Sequence, residues 1–250
     1  PETAAATAVR GVLTDPRDLE IAAPPAALPK RIRQDNPSLI PPASPEEAGA
    51  LNVQRGPNIV PASPKQPLAN RLTGEVLIKV ADDISTDHIM PAAAEVLAFR
   101  SNIPRIADFV YYRMDPDFSA RAKQKGGGFI VGGVNYGQGS SREHAALAPM
   151  FLGVKGVIAK SFARIHHGNL VNFGLLPMVF TDESDYDRIE AGDALTVDET
   201  VAGVKQQLLV VRNITKGLEF TVKLSLTDRQ KDLLVAGGLL PYTRDHGLSG

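Results

Sequence analysis

The sequence predicts a mixed α/β domain with a partly parallel sheet, helices mainly on the outside and an added antiparallel element, preceded by a proline-rich arm. Three observations carry that expectation. From Gly74 onward, short apolar runs alternate with helix-like segments, the βαβα order that packs helices against a parallel sheet. The last third instead holds successive strand-like runs joined by short turns. Finally, 13 of the 19 prolines fall before Gly74, so that stretch is poor in backbone donors and should run extended.

In chain order, residues 1–73 read as an arm whose apolar residues Leu39, Ile40, Ile59 and Val60 favour strapping across a surface over full disorder. EVLIKV (75–80), GFIVGGV (128–134), GVIAKS (156–161) and LLPMVF (175–180) have the length and β-branched content of buried strands. AEVLAFR, IPRIADFVYYR, DPDFSARAKQ, REHAALAPMFLG and FARIHHGNLVNFG read as helices or helical turns between them. ALTVD, QQLLVVRN and LEFTVKL supply the antiparallel strands, and TDRQKDLLVAG a closing helix with Thr227 as its N-cap. The domain is therefore expected over 74–250.

Composition narrows the function. A formal net charge of -1 gives no overall field for nucleic acid or an anionic membrane, so neither is an expected partner. No apolar run reaches bilayer length and no basic, then apolar, leader opens the chain, which predicts a cytoplasmic protein. Cysteine is absent, removing thiol nucleophiles and thiolate ligands. His88, His144, His166 and His167 show no ligand spacing with carboxylates, so no metal site is expected on this chain.

The densest chemistry lies in NYGQGSSREHAAL (135–147), between a strand-like and a helix-like segment. Ser140-x-x-Glu143 fits a capping box, which by itself needs no function. Gly137 and Gly139, however, clear side chains from the front of a helix start, where free N–H groups attract an anion, and Ser141 and Arg142 stand at the same end. No Gly-Lys-Ser/Thr ending and no third glycine are present, so a carboxylate suits this loop better than a nucleotide.

DDISTDHIMPA, NYGQGSSREHAAL, GVIAKSFARIHHGNL and GLLPMVF, in this order along roughly residues 74–200, resemble the swivelling domain of the aconitase family. TDPRDL and RGPNI in the arm resemble that family's linker. The resemblance implies a swivelling β/β/α fold and a hydro-lyase that isomerises citrate to isocitrate through cis-aconitate. It implies Ser140 as catalytic base, Arg100, Ser141 and Arg142 as substrate-binding residues, and Thr86, Asp87, Gly137 and Gly139 in support. Arg164 reads first as an ion-paired anchor of its helix. One departure is the Met90-Pro91 pair, which stands where the family pattern has a substrate-contacting serine.

The family's Lewis acid is the open iron of a 4Fe-4S cluster held by three cysteines on a larger body. The implied partners are thus cluster-bearing N-terminal domains of the same enzyme and a small tricarboxylate, and this chain alone should be inactive. Two alternatives stand beside it: a small-subunit-like domain of an isopropylmalate or homoaconitate hydro-lyase, and a non-catalytic module that binds a phosphate or nucleotide anion.

Overall fold

The computed structural model describes residues 1–19, 39–61 and 65–247. The chain forms two compact units, residues 1–53 and 54–250, dividing inside the proline-rich stretch. The cluster IAAPPAALP lies outside the described residues. In the first unit the expected extended course is interrupted by two helices, Glu2–Arg10 and Pro45–Ala50. The second forms because Pro45 occupies the first helical turn, where its missing N–H costs nothing, and Ser44 and Glu47 make a reciprocal capping box.

The second unit is a closed barrel. Its strands are β1 (Arg71–Lys79), β2 (Gly128–Gly132), β3 (Val154–Ala159), β4 (Leu176–Phe180), β5 (Ala194–Asp198), β6 (Leu208–Asn213) and β7 (Leu218–Lys223). They pair in the order β1-β2-β3-β4-β7-β6-β5, and β1 closes on β5. The pairs β1·β2, β2·β3 and β3·β4 are parallel, and the remaining four are antiparallel. The antiparallel strands are therefore part of the closure rather than an appended element, and no sheet edge is left open.

Burial explains the two strand chemistries. On β2 the alternate residues Phe129 and Val131 join the cluster that fills the barrel with Val211, Phe220 and Val222. Ile130 between them joins a second cluster with Phe118, Ala145 and Ala146 of the covering helices. Both faces of the parallel strands are thus dry, which is why they read as unbroken apolar runs. On β6 only one face is buried, so Leu209 and Val211 point in while Leu208, Val210 and Arg212 remain exposed.

Most helices expected from sequence form, with changes of extent. AEVLAFR contracts to the turn Ala94–Leu97. IPRIADFVYYR breaks into Ile103–Ile106 and a 3-10 turn, Ala107–Phe109. Thr227 caps Asp228–Ala236 as its position predicts, in a capping box with Gln230. Helices Thr200–Gln206 and Leu239–His246 were not foreseen. The segment before β1 is strapped down: Val60 N donates to Ser101 O at 2.9 Å and Leu68 N to Val235 O at 3.0 Å.

Candidate functional site

The carboxyl ends of β1, β2 and β3 point the same way because these strands are parallel, and the loops that follow them meet there. Such ends are where open α/β sheets bind ligands, since loops there are free to vary on a rigid frame. Gly137 N donates to Ile84 O at 2.7 Å and Thr86 N to Gln138 O at 2.8 Å, which knits the first loop to the second. Tyr136 N donates to Ser161 O and Ala163 N to Tyr136 O, both at 2.9 Å, joining the second to the third. Asp83 and Asn135 both adopt left-handed backbone, and the Asn135 side-chain amide donates to the Asp83 carboxylate at 2.9 Å.

Within this frame the glycines have separate tasks. Gly137, at φ 82°, lies so close to His166 that a Cβ would fall 2.2 Å from the imidazole ring. Gly139, at φ 105°, has room beside it, so its requirement is the backbone conformation alone.

The capping-box expectation for Ser140 and Glu143 is not met. The helix starts at His144, with Glu143 at its N-cap and no side-chain capping bond. Arg142 N donates to Ser140 O at 2.8 Å instead, and this tight turn pushes the helix start downstream. Ser140 is consequently free of the helix end and exposed, as is Ser141. The buried Thr86 hydroxyl sits 3.3 Å from Ser140 O and 3.4 Å from Ser140 Oγ. Among the described residues, the N–H groups of Gly139, Ser140 and Ser141 meet no intramolecular acceptor, and all three residues are exposed. The unpaired donors expected at a helix mouth thus lie on this loop.

Arg142 is held by one corner. Its Nη1 donates to Asp87 Oδ1 at 3.0 Å, to Met90 O at 2.5 Å and to Thr86 O at 3.4 Å. Among the described residues Nε and Nη2 have no partner, which leaves the other edge of the guanidinium available to a carboxylate. Met90, at the departure from the family pattern, thereby supplies its carbonyl to fix this arginine. Asp87 is the hub: the Ala92 N–H holds its carboxyl below the usual range against the effect of burial, with Arg142 and Arg113 adding to the lowering.

Thr86, Asp87, Gly137, Gly139, Ser140, Ser141 and Arg142 are therefore brought together. Arg100 is joined by its backbone only, its carbonyl lying 2.8 Å from His144 Nε2, four residues past Ser140. Arg164 departs from expectation, because among the described residues it makes no ion pair. His88 Nδ1 accepts from Ser85 N, and His166 is buried against Tyr136 and kept neutral, its pKa depressed to about 4 by burial and by His167. Sequence reasoning passed over Arg113, whose Nη1 lies 3.5 Å from Asp87 Oδ2. Its only signal is structural, since it sits in a turn begun by Tyr111 in left-handed backbone.

No helix of the described residues is long and apolar enough to cross a membrane. Among the described residues no His, Asp and Glu cluster could hold a metal ion, and the chain has no cysteine. Among the described residues a 4Fe-4S cluster thus finds no ligand set.

The aconitase C-terminal domain family matches residues 111–183. The chain is 46% identical over 169 residues to 3-isopropylmalate dehydratase small subunit 2 of Archaeoglobus fulgidus, covering 68% of this chain and 93% of that one. It is 35% identical to the probable mitochondrial aconitate hydratase of Dictyostelium discoideum over 196 residues, but there spans only 25% of the relative. The crystal structure of 3-isopropylmalate dehydratase from Methanocaldococcus jannaschii superposes with a TM-score of 0.58 at 32% identity, covering 71% of this chain and 96% of that one. The chain belongs to the aconitase C-terminal domain family.

Proposed function

We propose that this chain is the small, site-completing domain of a hydro-lyase that moves a hydroxyl between adjacent carbons of a hydroxy-polycarboxylate. The observation that carries the proposal is the constellation of Ser140, three unpaired N–H groups and the free edge of Arg142. In this role Ser140 Oγ takes the proton from the carbon beside a carboxylate. A serine hydroxyl is a weak base and works only as an alkoxide, so its oxygen needs fixed donors and positive charge. The loop N–H groups and Arg142 are arranged to provide both. Arg142, with Ser141, holds carboxylates, while Thr86 and Asp87 orient the loop and the guanidinium. A cluster-bearing partner, separate or fused, would contribute the Lewis acid from its own residues.

The first reading of the substrate is isopropylmalate-like, on the strength of the 46% identical small subunit that this chain covers almost entirely. A second reading, citrate and isocitrate, is favoured by the putatively named aconitate hydratase of Aspergillus fumigatus. That relative is 35% identical across 82% of this chain, a share larger than the barrel unit of residues 54–250. A cytoplasmic setting accompanies either reading.

The test is Ser140→Ala in the assembled enzyme. The substitution keeps the backbone carbonyl that Thr86 contacts, so folding is retained. The expected result is a fall in kcat of about 10²- to 10⁴-fold with KM within a few-fold. Unchanged turnover would remove Ser140 from the chemistry and the proposal with it.

A further inference from the structure

We infer that Arg113 is an additional substrate-binding residue, a second guanidinium that works with Arg142 across the shared Asp87 carboxylate to hold a substrate carboxylate. The inference rests on the hydro-lyase reading of the same site and adds a residue outside the motifs that carried it.

Position is the first argument. Asp87 presents Oδ1 to Arg142 at 3.0 Å and Oδ2 to Arg113 at 3.5 Å, so two cations flank one carboxylate. Asp87 is shared between the two guanidiniums, and Glu95 adds a second, more distant negative charge toward Arg113. The Arg113 side chain is 49% exposed and its bond to Asp87 is long, so the guanidinium is reachable rather than consumed. An exposed, solvent-screened pair of this kind adds little to stability, which leaves folding a weak reason for its placement.

The second argument is the backbone that delivers it. Tyr111 is fully buried yet has φ 57°, a left-handed conformation that strains a bulky residue. Two contacts hold it there. Tyr111 N donates to Ile89 O at 2.9 Å, fastening the turn to the segment bearing Thr86 and Asp87. The Tyr111 and Tyr136 hydroxyls meet at 2.5 Å in a buried pair, fastening the same turn to the loop that leads through Gly137 to Ser140. The turn bearing Arg113 is therefore braced against both halves of the site. Strain kept at such a junction, in a turn whose exposed product is a cation, fits ligand binding better than packing.

The two substrate readings supply the test. Isocitrate and 3-isopropylmalate share a hydroxy-dicarboxylate core and differ at one substituent, a carboxymethyl group in the first and an isopropyl group in the second. In the assembled enzyme, Arg113→Gln should raise KM about 10- to 100-fold with kcat nearly kept, the loss expected for one charged hydrogen bond to a carboxylate. A rise for whichever of the two the enzyme turns over supports the inference; if both are turned over, a rise confined to isocitrate assigns Arg113 to the third carboxylate. Arg113→Lys should recover part of the affinity, because it keeps the charge and loses the fork. Unchanged KM, or a fall in kcat accompanied by a lower melting temperature, overturns the inference while leaving Ser140 and the hydro-lyase reading intact. A wild-type assembly that turns over neither compound removes that reading and this inference together.

Discussion

The parallel and antiparallel halves of the barrel are built from strands of similar length but use their surfaces oppositely. In the parallel half both strand faces are buried, and chemistry is pushed to the strand ends, where loops after β1, β2 and β3 interlock. In the antiparallel half one face is open, and β5 and β6 line a groove of about 790 Å³ with Arg71, Asp198, Arg212 and Glu219. Most of its charges are paired within it: Arg71 and Arg212 with Asp198, and Arg212 also with Glu219. The loop site keeps donors unspent. Unspent donors, more than a hollow, mark it as the candidate site.

The comparison predicts that damage in the parallel-half loops removes activity out of proportion to stability. Gly137→Ala is the strongest case after Ser140 itself. A methyl group there would collide with the His166 ring and would also force an alanine to φ 82°. His166 is buried and cannot swing away, so the loop must move and carry Ser140 with it. We expect activity of the assembled enzyme to drop by at least about 100-fold, since misplacement near 1 Å has that cost. Gly139→Ala serves as the control, because its Cβ has space and only the backbone conformation, near 1 kcal/mol, is penalised. Equal activity in the two variants would show that the loop tolerates displacement and that its geometry is not what the site needs.

The converse prediction falls on the other half. Phe220 on β7 packs in the barrel interior at 5.7 Å from Phe180. Phe220→Ala should lower unfolding free energy by about 3–5 kcal/mol through lost burial and a residual cavity. Measured well below its melting temperature, the variant should keep kcat and KM within two-fold. A selective loss of activity at full fold would mean that the antiparallel half shapes the site directly.

The same contrast explains what the sequence discloses. The runs GFIVGGV and LLPMVF are legible because two dry faces demand consecutive apolar residues, and the Thr227 cap is legible because a capping box is local. The corresponding local signature at Ser140 and Glu143 misleads, since Arg142 answers to Asp87 and Met90 from 55 and 52 residues away. Barrel closure rests on the pairing of β1 with β5, from Arg71 opposite Asp198 to Glu75 opposite Ala194, which no local pattern records. Helix Thr200–Gln206 is flanked by Glu199 and Gln207 in left-handed backbone, where neither residue advertises a boundary. Motif residues were therefore found as a group, whereas Arg113 depended on one strained dihedral and a tertiary contact.

The smallest effect tests the junction of the two halves through pH. Asp193 precedes β5, where Val76 N of β1 donates to its carbonyl at 2.9 Å, and its side chain is buried. Burial acts to raise its pKa, but the Glu190 N–H, Asn213 and Lys216 outweigh it and leave the carboxyl below its ordinary value. A depressed folded-state pKa means that ionised Asp193 adds stability above the unfolded value, near 3.9, and that this contribution fades as pH falls through the lower folded value. Asp193→Asn keeps the shape but gives up the charge toward Lys216, which lies 3.3 Å away. The variant should be less stable by about 1–3 kcal/mol at neutral pH, and the gap to wild type should narrow as pH drops below 4. Thermal melts across pH 2–7 measure both quantities, with catalytic constants unchanged at neutral pH. A gap that stays constant with pH would assign the loss to packing at the β1–β5 seam, and the charge would then have no part in closing the barrel.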